Sequence, residues 1–338
     1  MGRFPLWQED LYRGAAFVAP KGFRFPELLL GPNRLDSNIG MSAHSKSARP
    51  KIACEISADR VLAGRLAETG GLVELCAARE LPPGSVVPDL TELNIRQPEI
   101  VRKAINEALT GVAGRLRDII GVLPDAAVRV ALLDFDTLPS NTQEADQVVR
   151  FRLKKSLPFD VEKAKVSYHV QHSLTGLRLV AAVALNSVVE DYESAFQDAG
   201  YSAGVILPSM LAALGAADAD SPTLVIKVDA RTTSVAILDK AQLLLFRTLE
   251  NTRGVTINGE QLAEEVYPSV VFFQDTYHTN IEKIYVAGLP ESGGASPALR
   301  AQTGADVREL VANSQLGSSG SPSVPRWRMA GVVGALIS

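Results

Sequence analysis

A short pattern occurs twice in this 338-residue chain, and it restricts the fold more than any bulk property. Residues 52–56, 60–66 and 72–78 read as three successive strands, with Glu68-Thr69-Gly70-Gly71 as the turn before the third. Residues 223–228, 233–238 and 242–247 repeat the arrangement as a second meander. Each triplet is followed by a helix. The first helix opens at Pro98, a favoured first helical position, and the spacing places Val101, Ile105, Ala108, Val112, Leu116 and Ile119 on one face. The second covers residues 259–273, where Pro268 predicts a kink or a restart. The chain is therefore expected to be an α/β protein built from two duplicated halves.

The stretches between these units set the organisation. Residues 1–50 hold many Pro, Gly and Ser and no sustained period, so they read as a disordered tail or as sequence upstream of a start at Met41. Residues 51–126 form the first half, to which a closing apolar helix within 326–338 returns. Residues 127–200 read as an inserted small α/β subdomain of strand, helix, strand, strand, helix. Its first helix has an Asn141 cap with Glu144 reaching back, and ends near Leu157 because Pro158 cannot continue it. Residues 165–172 and 177–184 pair as a hairpin, and Asn186 or Ser187 caps a second helix that Gly200 closes. Residues 201–221 read as a hinge helix and linker, residues 222–316 as the second half, with a buried strand at 284–287 ending on Gly288.

Charge and composition exclude several classes. Lys and Arg number 34 against 38 Asp and Glu, a net charge of −4, which leaves no footprint for nucleic acid. No apolar run approaches the roughly 20 residues of a membrane span. Two cysteines, Cys54 and Cys76, rule out a disulfide scaffold; they read as core residues on neighbouring strands in a reducing compartment. His169 and His172 sit three apart on a strand and so face opposite ways, and no metal site is expected. Asp134-Phe135-Asp136 reads as a solvated strand edge, and no catalytic Ser-His-Asp or Cys-His set is visible. Arg150, Arg152, Lys154 and Lys155 form one basic helix face; a solvated face and a surface for an acidic partner or a membrane both fit.

Six stretches in order resemble the PilM family of type IV pilus assembly proteins, which are related to FtsA and have the actin-like ATPase fold. They are Ile52-Ala53-Cys54-Glu55-Ile56-Ser57 at the first phosphate turn, Glu80-Leu81-Pro82-Pro83-Gly84, Leu157-Pro158-Phe159, Val228-Asp229-Ala230-Arg231-Thr232-Thr233 at the second phosphate turn, Ile284-Tyr285-Val286-Ala287-Gly288-Leu289 at the adenosine strand, and Met329-Ala330-Gly331-Val332-Val333-Gly334 in the closing helix. The resemblance implies two halves around a central cleft that would hold nucleotide between the two turns. It makes Glu55, Ser57, Asp229, Arg231, Thr232 and Gly288 the residues of that cleft. The family's Asp-x-Gly turns let backbone N–H groups approach phosphates. Here Ser57 and Arg231 replace the glycines, Asp59 adds a carboxylate, and Leu62 replaces a lysine usual in its strand. The paired glycines of the adenosine loop become Gly288-Leu289-Pro290, and Leu207-Pro208-Ser209-Met210 lacks the expected acid. Arg231 could grip a phosphate or fill an emptied cleft. These departures imply a degenerate ATPase, with no cofactor or weak Mg-ATP.

The resemblance also implies a partner. It predicts a cytoplasmic scaffold, peripheral at the inner membrane, that binds the short N-terminal peptide of a PilN-like inner-membrane protein. The peptide would lie between the first subdomain and the inserted one, against Phe151, Leu157, Pro158 and Phe159. A homo-oligomer stays open. Two other readings share the fold: a working ATPase or carbohydrate kinase, and the cytoplasmic part of a type II secretion protein. Intact phosphate turns would favour the first, and a membrane span the second.

Overall fold

The computed structural model describes residues 49–173, 176–290, 294–317 and 324–338. The expectation of a tail over residues 1–50 falls almost wholly outside them. The first half opens with β1 (Ile52–Ile56), β2 (Arg60–Leu66) and β3 (Val73–Glu80), followed by α1 (Pro98–Ala113) and β4 (Asp118–Leu123). Then come β5 (Arg129–Phe135), α2 (Thr142–Leu153), β6 (Ala164–Ser173), β7 (Gly176–Leu185) and α3 (Asn186–Asp198). β8 (Ser202–Pro208) and α4 (Ser209–Ala213) lead into the second half. That half consists of β9 (Thr223–Val228), β10 (Thr232–Asp239), β11 (Gln242–Glu250), α5 (Gly259–Tyr277), β12 (Lys283–Ala287), α6 (Ala295–Thr303) and β13 (Asp306–Glu309), and α7 (Ala330–Ile337) closes the chain.

The two main sheets have one plan. The first runs β3-β2-β1-β4-β8 and the second β11-β10-β9-β12-β13. In each, a meander is antiparallel and the two strands beyond it are parallel to its first strand. β5, β7 and β6 form a separate antiparallel sheet, whose core of Val149, Leu153, Val161, Leu179, Ala181 and Val183 is its own. α3 was expected in this unit, but its Tyr192 and Phe196 are buried in the core of the first half, where the Phe196 ring lies against Gly121 of β4.

Several expected boundaries are corrected. α1 stops at Ala113 because Gly114 turns the chain with φ +58; Leu116 is exposed and Ile119 belongs to β4, not to the helix face. Residues 201–221, expected as a hinge helix and linker, supply the strand β8 before the helix α4, which is wholly buried with α7 packed on it. α2 ends at Leu153 rather than near Leu157, and Asn141 accepts from the N–H groups of Gln143 and Glu144. No side chain caps α3. Pro268 lies inside a continuous α5. Cys54 and Cys76 are separated by β2, which pairs with both their strands.

Candidate functional site

The two meanders each end their first strand in the same tight turn. The Ser57 N–H donates to the Arg60 carbonyl at 2.9 Å, and the Asp229 N–H donates to the Thr232 carbonyl at 2.8 Å. Ile56 pairs with Val61 and Val228 pairs with Thr233, so the turns superpose in register. This equates Ser57 with Asp229. It equates Glu55 with Lys227, not with Asp229 as an acid-for-acid alignment suggests. The duplicated fold thus points a carboxylate and an ammonium toward each other from the two halves.

Lys227 is the centre of a buried charge cluster. Its Nζ pairs with Asp229, lies 3.6 Å from Asp125 Oδ2 and 4.0 Å from Glu55 Oε1. Glu55 also accepts a hydrogen bond from the Ser209 hydroxyl. Asp125 accepts from the Met210 N–H at 2.7 Å and from the Ser234 hydroxyl at 2.9 Å. Burial drives the Glu55 carboxyl above its ordinary range, against the pull of Lys227. Asp125 is raised for the same reason. Burial alone would depress Lys227, but Asp229, Asp125 and Glu55 together hold its ammonium more firmly protonated than in water. The closing helix seals the cluster: a Cβ on Gly331 would sit 2.9 Å from both Glu55 carboxylate oxygens and from Ser209 Oγ.

The other expected cleft residues are placed as follows. Ser57 donates through its hydroxyl to Asp59 at 2.9 Å, and Arg60 pairs with Asp59 at 2.7 Å, so Asp59 is drawn back onto its own turn. Arg231 is exposed and Thr232 buried. Gly288 has φ +83, and a Cβ there would lie 1.7 Å from the Val228 carbonyl oxygen, so close packing on β9 itself demands glycine. The Gly288 N–H donates to the Trp327 carbonyl at 2.7 Å.

A groove runs beside this cleft. One cavity of about 470 Å³ lies between Leu90, Ala126, Val128 and Val130 on one side and β11 residues Phe246 to Leu249 on the other, with Asp125, Arg129 and Arg247 contributing. A second of about 440 Å³ shares Leu90, Ala126, Thr248 and Leu249 and adds Asp89, Pro158, Arg231 and Thr232. Pro158 and Arg231, expected in two different sites, line the same cavity. The other residues expected in the partner site do not gather there. Leu157 and Phe159 are half-buried against the inserted unit's own core, and Phe151 projects from α2 with 72% of its surface exposed. The inserted unit also reaches the second half: Arg178 Nη1 donates to the Tyr277 hydroxyl at 2.6 Å, and Gln242 donates to the His172 carbonyl at 2.9 Å. Among the described residues no cluster of three or more His, Cys, Asp or Glu could hold a metal, and no helix is long and apolar enough to cross a membrane.

Lys227 and Asp125 were missed from the sequence. Lys227 left a signal, a lone lysine inside the apolar strand Thr-Leu-Val-Ile-Lys-Val. Asp125 left none, since Pro-Asp-Ala-Ala reads as an ordinary turn.

No protein-family profile matches the chain, and no curated protein matches it. Among solved structures it is similar to a PilM-PilN type IV pilus biogenesis complex, with a TM-score of 0.68 and 19% identity over 86% of this chain and 97% of the other. It is also similar to a Bacteroides thetaiotaomicron protein of unknown function with an actin-like ATPase fold, with a TM-score of 0.51 and 9% identity over 83% and 97%. The actin-like fold expected from the sequence is therefore the fold observed.

Proposed function

We propose that this chain is a cytoplasmic scaffold of a type IV pilus assembly machine. In this reading it holds the N-terminal peptide of a PilN-like inner-membrane partner in the groove beside the cleft and binds nucleotide weakly or not at all. The observation that carries the reading is the groove itself, two adjoining cavities walled by the first half, the inserted unit and β11. Its walls mix leucine, valine and phenylalanine with arginine, which suits an extended peptide that is held by burial and fixed by a few polar contacts. The similar solved structure is a complex of PilM with PilN, which supplies the class of partner.

The filled cleft supports the second part of the reading. Mg-ATP needs backbone N–H groups open to phosphate and carboxylates free to orient the metal's water shell. Here the carboxylates at the turns are already paired with Lys227 and Arg60, and Asp59 also accepts from the Ser57 hydroxyl, so the residues present do not fit the group. A working ATPase or kinase would have to break this cluster first.

The test is a titration of the partner's N-terminal peptide against wild type and Leu90→Asp. Leu90 lines both cavities from a loop, so a carboxylate there should weaken binding by tenfold or more, the worth of one well-buried anchor. The melting temperature should stay nearly constant. Unchanged affinity in a folded Leu90→Asp protein would remove the groove from the interaction. Phe159→Ala serves as contrast: packed on the inserted core, it should lower the melting temperature more than the affinity.

A further inference from the structure

Val148, Phe151, Arg152 and Lys155 stand at i, i+3, i+4 and i+7, so they share one stripe of α2 and the turn that continues it. The adjoining side, Ala145, Val149 and Leu153, is buried. On the outer stripe Val148 is 38% exposed and Phe151 72%, the highest value among the exposed large hydrophobic side chains described. Arg152, Lys154 and Lys155 are exposed and have no ion partner among the described residues. Their neighbour Arg150, in contrast, is tied to Asp146 at 2.7 Å and to the Val161 carbonyl at 2.9 Å. Of the acids on α2, Asp146 is thus occupied, and Glu144 stands at the far end of the helix.

We propose that this stripe is a direct contact with an anionic lipid bilayer. A solvated helix face accounts for the cations but not for a bare phenyl ring among them. An aromatic ring seated at headgroup depth, flanked by cations that meet lipid phosphates, accounts for both. An acidic protein is the other candidate occupant. An acidic protein would have to bring a pocket of its own shaped to the ring, because on this chain Phe151 stands on a single convex helix and lines neither cavity. A bilayer needs no preformed pocket. The chain as a whole carries −4, so the attraction is local to this stripe.

The contact is weak by design of its parts. Each cation near an anionic surface raises partition roughly fivefold, and burying the ring raises it roughly tenfold. Together they amount to no more than a single acyl chain supplies, which is reversible. Such a contact orients a protein that a membrane partner already holds nearby, where effective concentration is high.

Flotation of the full chain with millimolar lipid tests this. Vesicles of phosphatidylglycerol and phosphatidylcholine should carry the protein, vesicles of phosphatidylcholine alone should not, and salt should release it. Lys154→Ala/Lys155→Ala should lower the partition coefficient roughly thirtyfold, and Phe151→Ser roughly tenfold. All these residues are exposed, so melting temperatures should not move. Arg102→Ala/Lys103→Ala removes the same charge from α1 and should change partition little. Equal loss in the two double variants, equal binding to neutral vesicles, or no flotation at all would overturn the proposal. Leu90→Asp should float normally, so failure here and failure of the peptide groove are separate results.

Discussion

At the scale of single residues, the molecule turns on the pairing of Glu55 with Lys227, one station repeated in the two halves with opposite charge. Burial raises the Glu55 pKa above its unfolded value. A carboxyl shifted this way favours the fold when protonated; the contribution is complete below the unfolded pKa of about 4 and is lost as pH rises through the raised folded value. Glu55→Gln imitates the protonated group at every pH and keeps an acceptor for Ser209. Thermal melts should therefore show the variant gaining on wild type as pH goes from about 5 to about 8. A difference that does not change with pH would mean that Glu55 titrates as it does in water. The sequence marked Glu55 and Asp229 as the acids of the two turns, and both lie in the cluster. It did not reveal that Lys227 holds the station opposite Glu55, because that equivalence resides in the strand register and only the pairing of β9 with β10 displays it. The placing of the partner site on Phe151 and Phe159 came from the family resemblance, which says nothing of which ring this chain's inserted sheet would cover.

At the scale of elements, turn-bounded strands were legible, as was the buried parallel strand β12, which ends on Gly288, but β4 and β8 were not. Both meanders and the hairpin of β6 with β7 lie where the sequence placed them, because tight turns bound them. β4 sits between β1 and β8 and is buried on both faces, so its apolar run reads as the end of a helix, while β8, the edge strand, runs straight into the buried α4 and reads as part of a hinge. α7 was legible as an apolar helix, but its glycines hold more than its hydrophobicity suggests. A Cβ on Gly334 would lie 2.1 Å from the Ala212 carbonyl oxygen, and one on Gly215 would lie 2.4 Å from that of Gly334. The helix can approach α4 this closely only without side chains. Gly334→Ala must shift backbone and should cost about 1–3 kcal/mol in urea unfolding. Gly331→Ala meets only the side-chain ends of Glu55 and Ser209, which can swing, and should cost less. The reverse order would mean that the charge cluster is stiffer than the helix contact.

At the scale of the whole molecule, the question is what holds the halves together across the cleft. In a nucleotide-dependent protein the ligand bridges them, and its removal loosens them. Here Lys227 of the second half reaches Glu55 and Asp125 of the first, and Arg178 of the inserted unit reaches Tyr277. Apolar residues of both halves, among them Ile56, Met210, Val225 and Leu238, also share one core. The chain should therefore be closed without ligand. A nucleotide bound with micromolar affinity and present at millimolar concentration would stabilise the fold by about 4 kcal/mol, several degrees in a protein of this size. Wild type should move by no more than roughly one degree on adding millimolar Mg-ATP. Lys227→Met leaves three carboxylates without their shared cation and should lose about 3–5 kcal/mol, the cost of breaking a buried ionic network from one side. Mg-ATP should not restore it, because removing the ammonium adds no donor for phosphate. A shift of several degrees in wild type that Asp229→Ala abolishes would reverse the conclusion, making the cluster the resting state of a nucleotide site that ATP opens.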